Sequence, residues 1–201
     1  MKNKWDERYD GKDYYYGTEA NSFLIENSSV FSKGSRILCL AEGEGRNAVY
    51  LAQLGFEVTA VDYSQVGIEK IKALAIKHNV QVHTICADLN DFEIEPLKWE
   101  GIISIWCHLP SALRSQIHQQ VILGLKPGGY FLLEAYTPEQ LKFKTGGPHD
   151  PDLMPTLLQI ENELQKLEPL IKKEALREIS EGIGHQGMSA VVQFVGKKPT
   201  L

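Results

Sequence analysis

The order of apolar periods along this 201-residue chain predicts an α/β fold: a mostly parallel sheet of seven strands, helices on both faces, and an antiparallel hairpin at its C-terminal end. Three observations carry that prediction. Short apolar runs alternate with stretches of helical spacing from Arg36 to Tyr136, and strands alternating with helices demand parallel crossovers. Two later strand-like runs are joined only by GIGHQG, too short for a right-handed parallel crossover. Hydrophobic residues make up 43% of the chain and charged residues 23%, as in an ordinary globular domain with one substantial core.

Each element follows from its residues. RILCL (36–40) is an apolar run behind the turn signal KGS and reads as a buried strand. Residues 46–54 have helical spacing, and FEVTAVD (56–62) alternates as a strand does. Ser64 is placed to cap a helix running to about His78, with Ile68, Ile71 and Ala75 along one face. Residues 81–85 and 101–106 read as the third and fourth strands, 112–125 as a helix, KPGG as a turn, and 130–136 as the fifth strand. Residues 155–167 are predicted helical, and 175–181 with 188–196 form the hairpin. Ahead of the core, 5–9 and 22–31 are expected to be short helices joined by the tyrosine-rich KDYYYGTEA. The connection 137–155 is long and irregular, which in a compact domain points to function or disorder.

Composition narrows the function classes. With 21 basic and 26 acidic residues the formal charge is −5, without the basic footprint of a nucleic-acid binder. MKNKWDERYD is too polar for a signal peptide, and no apolar run approaches the ~20 residues of a membrane span. Cys39, Cys86 and Cys107 form no CxxC pair, and no His/Cys spacing resembles a metal site. A single cytoplasmic domain, monomeric and without nucleic-acid or membrane partners, is the expectation.

The richest stretch is ILCLAEGEGRNA. From Gly43 it fits the dinucleotide fingerprint Gly43-x-Gly45-x-x-Ala48, and Asp62 lies 19 residues beyond Gly43, near the place of an acid that holds a ribose. Yet Glu42 and Glu44 flank Gly43, and a pyrophosphate at a helix N-terminus would be repelled by them. A ligand with ribose, positive charge and no phosphate is compatible, and S-adenosylmethionine has that chemistry. The bland readings are a solvated Glu44, Asp62 as a helix cap, Asp88 as a turn anchor, Arg46 as a surface cation or partner of a loop glutamate, and His185 as a solvated turn residue.

Taken together, LCLAEGEGRNA, AVDYS, ADLND, LKPGGYFLL, the N-terminal WDERY and YGTEANSFL, and EGIGHQG resemble class I S-adenosylmethionine-dependent methyltransferases. Within that superfamily the chain is similar to the tellurite-resistance and thiopurine-methyltransferase-like group. The resemblance implies a Rossmann-like fold forming one methyltransferase domain over 1–201, with an N-terminal cap at 1–31 and a substrate-side loop at 137–155. It implies S-adenosyl-L-methionine as cofactor, with Asp62 at the ribose and Asp88, beside Leu89, at the adenine. The cofactor side is expected to comprise Ala41, Glu42, Gly43, Gly45, Asn47, Asp62, Tyr63, Asp88, Leu89 and Trp106. Trp5, Tyr16, Cys107, His108 and His185 are expected on the substrate side. The chain departs from the pattern at Cys39, where an acid is common, and at Ala41, where the first glycine stands; Glu42 is the substitute for the missing acid.

Methyl transfer from a sulfonium needs approach geometry and exclusion of water more than acid–base chemistry. A soft nucleophile such as a thiol, a tellurite- or selenite-type species or a halide needs little help, whereas a hydroxyl or amine needs a base. His108 and Tyr16 are the candidate catalytic residues for that role, with His185 behind them. No Asn-Pro-Pro-Tyr-type motif follows the fourth strand, where the sequence is IWCHLP, so a small-molecule acceptor is expected. A non-catalytic cofactor-binding module and an NAD-dependent oxidoreductase are the alternatives.

Overall fold

The computed structural model describes residues 3–200. Its elements, in chain order, are α1 (Lys4–Tyr9), α2 (Ser22–Asn27), β1 (Arg36–Leu40), α3 (Arg46–Gln53), β2 (Glu57–Asp62), α4 (Gln65–Lys77), β3 (Val82–Cys86), β4 (Trp99–Ile105), α5 (Ser111–Gly124), β5 (Leu125–Tyr136), α6 (Leu157–Glu163), β6 (Glu168–Glu181) and β7 (His185–Lys197). The seven strands form one sheet in the order β3-β2-β1-β4-β5-β7-β6. β1 to β5 are parallel, and β7 runs antiparallel between β5 and β6. This is the predicted α/β architecture.

Alternation along the strands decides what each face buries. Ile37 and Cys39 point to the layer holding Phe23, Leu24, Ala48, Leu51, Ile68 and Ile71 of α2, α3 and α4. Leu38 and Leu40 point to the opposite layer, with Ile117 and Val121 of α5 and Ile160 of α6. Each of the Leu, Ile, Val and Phe side chains among them contributes roughly 1.5–3 kcal/mol on burial, and the two layers leave the strand ends free for loops. Ser64 caps α4 as its residue type predicts, its Oγ accepting from the amide of Gly67 at 3.0 Å. Among the described residues no helix is long and apolar enough to cross a membrane.

Four local expectations are corrected. KPGG is no turn between helix and strand: it is the irregular start of β5, where pairing passes from Trp99↔Leu125 to Gly101↔Tyr130. The helix expected over 155–167 is limited to α6, opened by a Thr156–Gln159 capping box. The helix expected over 22–31 ends at Asn27 and continues as a 3₁₀ turn. The hairpin strands are longer than predicted, closing at Glu181↔His185 around a three-residue loop, because their charged outer positions mask strand alternation.

The N-terminal segment is stitched to the core at several points. Asp6 accepts from the Ser64 hydroxyl at 2.7 Å, the Tyr14 hydroxyl donates to the carbonyl of Lys70 at 3.1 Å, and the Ile183 amide donates to that of Tyr15 at 2.9 Å. It lies as a strap over the carboxyl ends of the parallel strands. Residues 1 and 2 of the expected cap lie outside the described residues.

Candidate functional site

The sheet order reverses between β1 and β4, and a crevice opens there beyond the carboxyl ends of the strands, as parallel sheets of this kind dictate. All of the residues expected on the cofactor side except Gly45 line this one cleft, joined by Trp5, Tyr16, Cys107, His108 and His185. Gly45 lies just behind, packed on Ile71.

The glycine loop explains its own carboxylates. Gly43 and Gly45 have φ of +71° and +100°, and Ala41 also sits in the left-handed region at +48°, so alanine at this position is strained rather than a mild replacement for glycine. Glu42 turns one oxygen back onto the start of α3, where Oε1 accepts from the amides of Asn47 (3.0 Å) and Ala48 (2.8 Å). The helix thus receives the N-terminal acceptor that Gly45 cannot supply. Burial pushes the Glu42 carboxyl up to about 7, against the pull of those amides and of Arg46. Glu44 is not the solvated loop residue its type suggests. It is 4% exposed, pairs with Lys70 of α4 at 2.7 Å, and accepts from the Tyr16 amide, clamping strap to loop.

Asp62 ends β2 with both oxygens on the backbone: Oδ2 accepts from Gly43 at 2.7 Å and Oδ1 from Ser64 at 2.8 Å. It therefore braces the glycine loop and does not cap α4, a task Ser64 performs. Burial pushes its carboxyl up to about 6. Asp88 is exposed and anchors a turn through the Asn90 amide while facing the cleft, and Asn47 accepts from the Asn21 amide. Tyr63 is half-exposed and Leu89 buried.

The opposite wall is aromatic. Trp106, at φ +56°, stacks on Tyr136 with ring centroids 4.4 Å apart and donates its Nε1 to Glu181 at 2.7 Å. His108 stacks on Tyr136 at 5.6 Å, and His185 lies 4.5 Å from the ring of Tyr16 and 5.1 Å from that of Trp106. His185 is buried, so the solvated-turn reading fails. Burial, reinforced by His185, drives His108 down to about 3, and burial raises Cys107 to about 12. Burial also raises the Tyr16 phenol, whose oxygen accepts from Arg8. His108 and Tyr16 thus stand in the cleft as neutral groups, and neither is poised to take a proton near pH 7. Trp5 stacks on Tyr9 at 5.7 Å.

The connection 137–155 contributes no lining residue. Gln140 holds the Ala190 amide, Thr145 donates to the Met188 carbonyl, and Gly147 packs against the ring of Tyr136, so this loop buttresses the aromatic wall from behind.

Sequence reasoning missed the carboxylates that tie the site together. Glu181 accepts from Arg46 and Trp106 at 2.7 Å each and from Asn21 at 2.9 Å. Arg46 is therefore a buried partner of the hairpin, neither a surface cation nor paired to a loop glutamate. Fully buried Glu134 takes a two-pronged contact from Arg177 and further donors from Asn21 and Gln193. A lone glutamate in the apolar run YFLLEAY was the available signal, since a charge there must find partners.

Residues 37–129 match the family described as methyltransferase domain. The chain is 29% identical over 129 residues to "Probable S-adenosyl-L-methionine-dependent methyltransferase TehB" of Haemophilus influenzae, covering 60% of this chain and 42% of that protein. The chain thus spans less than two thirds of that relative's length. It superposes on the crystal structure of TehB from Haemophilus influenzae with TM-score 0.75 at 21% identity, covering 92% of this chain and 64% of the other. The [4+2]-cyclase SpnF has the same fold, with TM-score 0.70 at 14% identity over 98% and 91% of the two chains.

Proposed function

We propose that this chain, whose residues 37–129 match the family described as methyltransferase domain, transfers a methyl group from S-adenosyl-L-methionine to a small-molecule acceptor, acting as a cytoplasmic monomer on a soft nucleophile. The observation that carries the proposal is the cleft's pairing of buried carboxylates with an aromatic wall. Glu42 stands beside the glycine loop, where a dinucleotide would put phosphate, and Trp106, His185 and Tyr16 line the same cleft, the first backed by the buried ring of Tyr136. Carboxylates repel a pyrophosphate, while aromatic faces favour a cation. The residues fit S-adenosylmethionine: the glycine loop and Asp62 would hold its amino-acid and ribose parts, and Asp88 with Leu89 its adenine. Bound there, it supplies an activated methyl group on a cationic sulfur.

The chain's own contribution is positional. The strap and the aromatic wall exclude water, and the hydrogen-bonded loop holds its shape before ligand arrives. With His108 and Tyr16 held neutral, a nucleophile that needs no strong base is favoured. We take 1–31 as a cap and 137–155 as a support of the acceptor side. The same fold is found in a [4+2]-cyclase, so the fold by itself does not choose the reaction.

S-adenosylhomocysteine should stabilise the protein by ~2.7 kcal/mol at a hundredfold excess over its dissociation constant. For a chain of this size that is a rise in melting temperature of roughly 5–11 °C. NAD should give no shift, and a shift with NAD alone overturns the assignment. Binding should also shed protons. Glu42 and Asp62 hold protons up to about 7 and about 6 in the free protein. A neighbouring cation favours their charged forms and lowers both values, so S-adenosylmethionine should bind more tightly as pH rises from about 5 to about 8. Calorimetry at one pH in buffers of different ionisation heat reads the released protons directly. An affinity flat across that range would remove both carboxylates from the cofactor's neighbourhood.

A further inference from the structure

We propose that two phenols of the strap, Tyr9 and Tyr16, receive the carboxylate at the amino-acid end of the cofactor, so that the N-terminal segment is part of the binding site as well as its cover. The inference rests on the S-adenosylmethionine reading and deepens it.

The first observation is a hydroxyl without a partner. Tyr9 is 4% exposed and lines the cleft, yet among the described residues no group shares a hydrogen bond with its oxygen. That oxygen is not shut off from solvent, so the space it reaches is the cleft. It stands over the glycine loop, where a Cβ on Gly43 would come within 3.0 Å of it. Burial, with the carboxylates of Asp62 and Glu44 nearby, keeps this phenol protonated and therefore able to donate. Tyr16 lines the same cleft, and its ring meets that of Tyr9 edge-on with centroids 6.4 Å apart. Its oxygen accepts from Arg8 at 3.0 Å, which uses a lone pair and leaves the proton free for another acceptor.

The second observation is that the usual anion receptors of such a loop are taken. A helix N-terminus ordinarily receives an anion on its free amides. Here Glu42 occupies those of Asn47 and Ala48, and Asp62 occupies that of Gly43. Arg46 is paired with Glu181 and reaches the Glu19 carbonyl, and Lys70 is paired with Glu44. The cofactor brings an ammonium, which these carboxylates suit, and a carboxylate, which they repel. The two phenol protons are left to hold that carboxylate, and hydrogen bonds to a charged acceptor are the strong kind. Arg8, held over the rings of Trp5 and Tyr15, adds its positive charge behind Tyr16.

Calorimetric titration at pH 7 with S-adenosylhomocysteine and with its decarboxylated analogue, 5′-deoxy-5′-(3-aminopropylthio)adenosine, tests this. The first is neutral overall and the second carries one positive charge. A cleft that offered the amino-acid end only carboxylates would prefer the analogue. The phenol pair should reverse that preference, with S-adenosylhomocysteine bound about tenfold or more tightly by the wild type. Tyr9→Phe and Tyr16→Phe keep the rings and remove one donor each. Either should weaken S-adenosylhomocysteine by about tenfold and leave the analogue within about threefold. Because both affinities are measured on one variant, their ratio is unaffected by any loss of folded protein. Preference of the wild type for the analogue, or a ratio unchanged in either variant, overturns the proposal and leaves the cofactor reading standing. Wild-type protein that binds neither nucleoside overturns both.

Discussion

Glu181→Ala should destabilise the protein by about 3–5 kcal/mol, the usual cost of removing one partner from a buried ion pair. In a chain of this length that is a fall in melting temperature of roughly 6–20 °C. Arg46 and Glu181 are both less than a tenth exposed and meet at 2.7 Å, so alanine leaves a guanidinium buried without its counter-charge. It also strips the acceptor from the indole of Trp106 and from Asn21. Burial alone would raise the Glu181 carboxyl, but His185 and Arg46 outweigh it and hold it at about 2. A depressed carboxylate contributes stability above its unfolded value near 4.5 and loses it as pH falls toward about 2. The gap between wild type and variant should therefore be full at neutral pH and shrink below about pH 4. Thermal unfolding of both proteins at pH 7 and pH 3 measures this. The Arg46→Leu, Glu181→Leu double variant should recover part of the loss, because it removes the stranded charge along with the pair. A fall of under about 2 °C at pH 7 would mean that the pair is solvated and that Glu181 does not hold the wall to the loop.

Gly45→Ala should cost about 2–6 kcal/mol and weaken cofactor binding with it. The backbone at Gly45 has φ +100°, where an L side chain is strained by about 1–3 kcal/mol. A Cβ there would stand 2.9 Å from the Cα of Ile71, a backbone atom of α4 that cannot swing aside. Overpacking of that kind adds roughly 1–3 kcal/mol. The two helices must then part, and the start of α3 shifts under the Glu42 carboxylate that caps it. Denaturant unfolding reads the stability loss, and titration with S-adenosylhomocysteine reads the loop. Wild-type stability in the alanine variant would show that α3 and α4 are loosely packed here.

What the chain determines by itself is whatever a local period can encode. Side chains alternate every two residues in a strand and recur every 3.6 in a helix, so RILCL, FEVTAVD and the face of Ile68, Ile71 and Ala75 declare themselves without partners. The hairpin's antiparallel sense follows from the length of its connection alone, and Asp62 is legible as a residue lining the cleft because it ends an alternating strand 19 residues beyond Gly43. Tertiary structure decided what depends on distant partners. Glu44 looks like a solvated loop residue until Lys70, 26 residues away, and the strap close over it. Arg46 looks like a surface cation until the hairpin delivers Glu181 from 135 residues downstream. The loop 137–155 has the length of a lid but packs behind Tyr136, because its glutamine and threonine find the backbone of β7 there. A side chain's burial and protonation are set by everything that surrounds it in space. For His108 those surroundings are Trp106, Tyr136 and His185, brought to one wall only when the sheet places the ends of β4, β5 and β7 side by side.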